Sequence, residues 1–218
     1  MIRHDREKLT EPRVIICEGR VDEAFLRALI SKRNLPNFCI RNPEDFGARG
    51  IDSIGEAISG LKIMPGFENL AGILVVVDSD DDPQKNFEAV RKQISSLGEP
   101  FLAPNALLER SSGIPSIQIL TLPWINQPGC LETMLYPHLA SRHSALASCV
   151  DSFLLCSGVS VWANSRKVAK VATQTLLGAV AEKSAATTLG RSFVNGTSYF
   201  DLLDPVFNDL AECIASYA

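Results

Sequence analysis

A chain of 218 residues, 46% hydrophobic and 21% charged, is long enough to bury one sizeable core and is ordinary for a globular protein. Its formal net charge of -4 excludes a global basic field that would advertise nucleic-acid binding, although bound cations can invert the sign locally. No window approaches ~18 consecutive apolar residues, and the polar stretch Met1–Arg13 lacks an apolar signal core, so the expectation is a cytoplasmic protein with no membrane span.

Residues 1–12 read as a loose leader. Arg13–Cys17 is a short apolar strand ending at Glu18-Gly19. From Val21, the spacing of Phe25, Leu26, Leu29 and Ile30 predicts a helix that fades near Lys32–Asn34 and is closed by Pro36. Phe38–Ile40 is a second short strand, and 42–50 a loop. Ile51, Ile54, Ile58 and Leu61 mark an amphipathic helix broken at Pro65-Gly66.

Gly72–Val77 is a continuous apolar run, the pattern of a strand buried on both faces. It drives straight into Asp78, Asp80, Asp81 and Asp82. Asp82 is the expected N-cap of the next helix, with Pro83 in its first turn. Phe87, Val90, Ile94 and Leu97 form that helix's buried stripe and Gly98 its stop. The segment 100–115, punctuated by Pro104, Gly113 and Pro115, predicts a mobile loop. Ser116–Leu122 alternates as a fourth strand nearer an edge.

A short helix is expected to start over 131–135, and the composition changes after Pro137. Longer helices follow over 139–156, 164–185 and 201–217, with no further strand. The order β-α-β-α-β-α-β followed by helices predicts an α/β fold: a mostly parallel four-stranded sheet flanked by helices, with a helical C-terminal extension. The expected division is a leader 1–12, an α/β domain 13–136 and a helical extension 137–218 packed on it. The six cysteines, with no CxxC pair, are expected reduced and buried. His4, His138 and His143 have no ligand spacing; the latter two are expected at the surface. Trp124 and Trp162 are expected to pack.

Four acids within five positions repel one another unless a cation lies among them. If the first and third strands are neighbours, Glu18 and Asp78 leave the sheet at the same edge, where open α/β sheets place their sites. Asp80, two residues on in an extended segment, points the same way as Asp78. Asp22, four residues past Glu18, returns to that end of the sheet. Carboxylates in this number suit Mg2+ or Mn2+.

Glu18-Gly19-x-x-Asp22-Glu23 after a strand, followed by an apolar strand into Asp78-x-Asp80, resembles the Toprim domain of topoisomerases, DnaG-type primases and OLD-class nucleases. The resemblance covers about residues 13–122. In the OLD class it extends to a glutamate in an SxxE-type motif and a downstream lysine. Here Gly129-Cys130-Leu131-Glu132 has glycine in place of that serine, and Lys167, with Lys170 next, is the matching lysine. The chain also looks like a group of stand-alone, uncharacterised Toprim-like proteins.

The resemblance implies a metal-dependent phosphoryl-transfer enzyme on nucleic acid, DNA rather than RNA, in repair or phage defence. Two Mg2+ or Mn2+ ions are expected: Asp78 and Asp80 hold one, and Glu18, Asp22 and Glu132 share the second, unless Glu18 serves as general base on water. Lys167 would stabilise developing negative charge. The chain has no P-loop, so an ATPase or other defence-system partner would be a separate chain. Three tyrosines (Tyr136, Tyr199, Tyr217) and no room for a gate argue against a topoisomerase. The alternative is a non-catalytic module that binds metal or nucleic acid or docks on a partner. A receiver-type phosphoacceptor ranks low, because its acidic pair should follow the first strand. The sequence sets no oligomeric state.

Overall fold

The computed structural model describes residues 8–124, 126–182, 186–194 and 199–217. Strands β1 (Arg13–Cys17), β2 (Cys39–Arg41), β3 (Gly72–Asp78) and β4 (Ser116–Leu122) form one all-parallel sheet in the order β2-β1-β3-β4. Helices α1 (Arg20–Lys32), α2 (Ile54–Gly60), α3 (Pro83–Leu97), α4 (Leu131–Arg142), α5 (Ser144–Cys156), α6 (Ser165–Val180), α7 (Leu189–Val194) and α8 (Asn208–Tyr217) surround it. The expected α/β architecture with a four-stranded parallel sheet is therefore present.

Every residue of β3 is buried because helices cover both faces of the sheet. Side chains alternate between those faces. Val14, Ile16, Ile73, Val75, Val77, Ile117 and Ile119 pack with α2 and α3. Ile15, Cys17, Leu74, Val76, Leu120 and Leu122 pack with α1 and the C-terminal helices. Asp78 continues the parity of Leu74 and Val76, so its carboxylate is delivered to the second face. The chain winds from β1 to β2 on one side and returns to β3 and β4 on the other. The strand order thus reverses between β1 and β3, the switch point at which open α/β sheets leave a crevice at the strands' C-terminal ends.

Strand β4 lies at an edge, as expected. The segment before it is not the free loop that its prolines predict. Phe101 is fully buried. Leu108 N–H donates to the Ile119 carbonyl (3.1 Å) and Ser111 N–H to that of Ile117 (2.8 Å), which shields the edge from foreign strands.

Other expectations are corrected. Leu9 is buried and its N–H donates to the Pro65 carbonyl at 2.8 Å, so the part of the leader within the described residues is docked. His4 lies outside those residues, as does the 183–185 end of the helix expected over 164–185. Helix α4 runs through Pro137, across the expected boundary at 136/137, and breaks at His143 instead. Proline removes one hydrogen bond there, but Leu131, Met134, Leu135 and Leu139 keep the helix face continuous with the core. Helix α7 was not expected.

His138 is buried, not exposed. Its Nε2 accepts the Asp201 N–H (3.0 Å) and its Nδ1 lies 3.3 Å from the Asp204 carboxylate, tying α4 to the C-terminal segment. Cys17, Cys39, Cys130 and Cys213 are buried, but Cys149 and Cys156 are exposed on α5; all six are free thiols. Trp124 is half-buried against the core, whereas Trp162 is 47% exposed. Among the described residues no helix is long and apolar enough to cross a membrane.

Arg33, at the end of α1, staples the C-terminal segment. Its guanidinium donates to the carbonyls of Leu202 (2.6 Å) and Asp204 (2.7 Å) and to Asn208 Oδ1 (2.8 Å). Arg33→Ala leaves three acceptors without these donors and is expected to cost about 2 kcal/mol in urea unfolding. A loss under ~0.5 kcal/mol would mean that water replaces the staple without penalty.

Candidate functional site

Three segments distant in sequence meet at the β1/β3 crevice. Glu18 follows β1, and the pairing of Cys17 with Val76 brings it beside the end of β3. Its Oε2 accepts the Asp78 N–H at 3.4 Å. Asp22 sits in the first turn of α1, where its Oδ2 accepts the Gly19 N–H at 3.0 Å and caps the helix.

Asp78 ends β3 and is 6% exposed. Its Oδ1 accepts the Leu131 N–H at 3.1 Å, so the N-terminus of α4 points at it. Its own carbonyl is held by Asn86 Nδ2 at 2.8 Å. Glu132, in the first turn of α4, completes the ring of acids; its carbonyl accepts the Thr173 hydroxyl from α6 at 3.4 Å.

Asp80 departs from the expected geometry. The chain is not extended beyond Asp78: Asp80 has φ +56°, in the left-handed region. It exchanges two backbone hydrogen bonds with Gly129, its N–H donating at 2.8 Å and its carbonyl accepting at 2.6 Å. Its carboxylate is paired with the Arg166 guanidinium. Asp82 caps α3, its Oδ1 accepting the Lys85 N–H at 3.1 Å, as expected, and Asp81 is exposed. Glu23 faces away from the crevice and binds Arg27, Arg20 and Asn42.

The acids form one electrostatic unit. Burial pushes the Asp78 carboxyl well above the ordinary carboxylate range, and the charges of Asp22, Glu18 and Glu132 push it further against the pull of Lys170. Asp22 is pushed up to about 7 by burial, then by Glu18 and Glu132, with Lys170 and the Gly19 amide opposing. Glu18 is raised by burial and by Asp80; the Asp78 N–H, Lys170 and Arg166 oppose that rise. Lys170 has its Nζ 3.9 Å from Asp78 Oδ2. Burial works against its charge, but Glu132 and Asp78 outweigh burial and leave its pKa raised.

Four of the expected residues (Glu18, Asp22, Asp78 and Glu132) thus share one field, with Asp80 on the Glu18 side. Lys167 is not brought to them: it is exposed, and its backbone N–H binds the Asn164 side chain. The cations that face the acids are Lys170 and Arg166, four residues apart on one face of α6. Arg166 was missed. The helical period could have found it, since it falls seven and eleven positions before the buried Thr173 and Leu177. Lys167 lies about 100° further round.

Among the described residues no group of three or more His, Cys, Asp or Glu side chains is arranged to hold a metal ion as it stands. The donor chemistry nevertheless fits a hard divalent cation: several carboxylates whose mutual repulsion two side-chain cations only partly relieve, and a neighbouring thiol, Cys130, that burial, Glu132 and Asp78 keep protonated.

The chain matches the family described as Protein of unknown function (DUF3226) over residues 12–182. That span includes every residue of the crevice and stops short of α7 and α8. No curated protein and no solved structure matches the chain. The match covers most of the chain, which therefore belongs to this family.

Proposed function

We propose that this DUF3226 member is a Mg2+- or Mn2+-dependent phosphoryl-transfer enzyme on nucleic acid, a nuclease of Toprim type working in the cytoplasm. The observation that carries the reading is the convergence of Glu18, Asp22, Asp78 and Glu132 from three chain segments at the sheet's switch point, where burial and then the neighbouring acids force the Asp22 and Asp78 carboxyls upward. A purely structural role does not call for four acids to be gathered at the cost of mutual repulsion.

Asp78, with Glu18, Asp22 and Glu132, would hold the ions, and Asp80 would join on leaving Arg166. Bound ions supply a nucleophilic oxygen at neutral pH and neutralise phosphate charge. The chain's own residues do the rest. Glu18 accepts a proton from water, the amides at the start of α4 keep Asp78 aimed, and Lys170 takes up charge developing on the phosphate. Lys170 replaces Lys167 in that role because it already reaches the acids. DNA is the substrate favoured over RNA, in repair or phage defence, with any ATPase supplied by another chain.

A second reading, a non-catalytic metal- or nucleic-acid-binding or partner-docking module, is favoured by one observation. The pairs Arg166–Asp80 and Lys170–Asp78 already give two acids a counter-charge. Turnover separates the two. Linear, nicked and supercoiled DNA and a matched RNA are incubated with the purified chain and Mg2+ or Mn2+. Metal-dependent cleavage that disappears in Asp78→Ala supports the enzyme; cleavage undiminished in Asp78→Ala removes the site assignment, and none by the wild type leaves the module.

A further inference from the structure

Helix α6 begins against the usual charge preference. Its first turn contains Arg166 and Lys167 and no acid, although a helix N-terminus carries partial positive charge and favours anions. A cation is held there when an anion lies against it. For Arg166 that anion is Asp80, whose Oδ1 takes the Nη1 contact. The two side chains are 28% and 23% exposed, so the pair is largely withdrawn from water and screening by salt is weak. The Nε of Arg166 is shut off from solvent and has no acceptor. The guanidinium therefore holds Asp80 without using the two-pronged geometry in which it binds a carboxylate best.

Asp80 is fixed from behind as well. Its left-handed backbone and its two hydrogen bonds to Gly129 fix the main chain from which the carboxylate reaches Arg166. A divalent cation approaching Oδ1 meets the guanidinium, and the two positive charges compete for that oxygen. Lys170 does not compete to the same degree, since its contact with Asp78 is 3.9 Å long and the lysine is half exposed.

We infer that Arg166 is a resident counter-cation for Asp80 that a divalent ion must displace, so that this ion pair sets the metal affinity of the site. The inference rests on the metal-binding part of the reading above and not on turnover. The affinity measured for the metal is the intrinsic affinity reduced by the fraction of molecules in which Asp80 is released. Weakening the pair raises that fraction.

The test is Mn2+ binding to the full chain at low ionic strength, followed by calorimetry and by the electron paramagnetic resonance of free Mn2+. Arg166→Met keeps the length of the side chain and removes its charge; it is expected to bind Mn2+ about tenfold tighter than wild type. Arg166→Lys keeps the charge but loses the planar fork, and about threefold tighter binding is expected. It decides the matter if Arg166→Met lacks a cooperative thermal transition. Wild-type binding that is unchanged or weakened in both variants overturns the inference and leaves the metal site standing. Absence of Mn2+ binding from wild type and both variants overturns the inference and the metal reading together.

Discussion

At pH 8 without divalent cations, Asp78→Asn is expected to unfold at a higher temperature than the wild-type chain; with Mg2+ or Mn2+ added its cleavage falls ~100-fold or more, beyond the ~10–100-fold lost when an outer partner of a metal is removed. The two effects have one cause. Folded Asp78 holds its proton more tightly than the unfolded chain does, because burial and the charges of Asp22 and Glu18 oppose ionisation. Unfolding therefore releases protons, and stability falls as pH rises from the ordinary carboxyl range upward. Asp22, raised to about 7, adds to the same slope, so the metal-free wild type loses stability between about pH 4 and pH 7.

Asparagine keeps an oxygen for the Leu131 N–H and carries no charge at any pH in that range. The variant should gain on the order of 2 kcal/mol at pH 8, the scale of removing an incompletely compensated buried charge, and nothing at pH 3, where both proteins are protonated. Mn2+ should raise the melting temperature of the wild type at pH 8 by mass action on the folded state and leave the variant nearly unmoved. Thermal melts from pH 3 to pH 8, with and without Mn2+, read all of this. A variant that melts below wild type at pH 8 would mean that the Asp78 charge is already compensated, which removes the electrostatic argument for a cation.

The parts of this arrangement differ in how they are encoded. The strands were legible because a run such as Ile73–Val77 has one use in a chain of this composition, and because a parallel sheet delivers the residue after each strand to the same edge. That reasoning reached Glu18, Asp78 and, through the first turn of α1, Asp22. It failed at Asp80, where an extended continuation was assumed. A left-handed residue leaves no periodic trace, and the cause of the turn, Gly129, lies nearly fifty positions away. It failed again at Lys167, taken ahead of Lys170 although it lies out of phase with the buried stripe of α6. Projecting the buried stripe of α6 backward selects Arg166, near which Lys170 also falls. His138 was misread because a histidine flanking a helix start looks exposed, whereas its hydrogen-bond and ring partners come from residues 200–207. Contacts of that range are set by how helices dock, which no local pattern records.

Gly129→Ser, which restores the serine of the OLD-class motif, is expected to cost about 3 kcal/mol and to release Asp80. Gly129 has φ +137°, a conformation that side-chain-bearing residues rarely adopt. A Cβ placed on it would lie 2.6 Å from Thr133 Oγ1 and 2.9 Å from Thr133 Cβ. The threonine cannot simply rotate away, since its Oγ1 accepts the Cys130 N–H at 3.1 Å and helps cap α4. Nor can the backbone at 129 yield freely, because both of its hydrogen-bonding groups are committed to Asp80.

Serine at 129 must therefore break either the α4 cap or the Asp80 bridge. Each holds an acid in place: the cap aims the Leu131 amide at Asp78, and the bridge sets Asp80 against Arg166. Adding Thr133→Ala removes the steric clash but not the strained φ, and should recover less than half of the loss. Urea unfolding of the single and double variants separates the two contributions. If Gly129→Ser costs under ~0.5 kcal/mol, the glycine is not required by the backbone at all. The departure from the serine motif would then mark a chemical difference from the OLD-class nucleases, and the non-catalytic reading would gain the support that the geometry of Gly129 at present denies it.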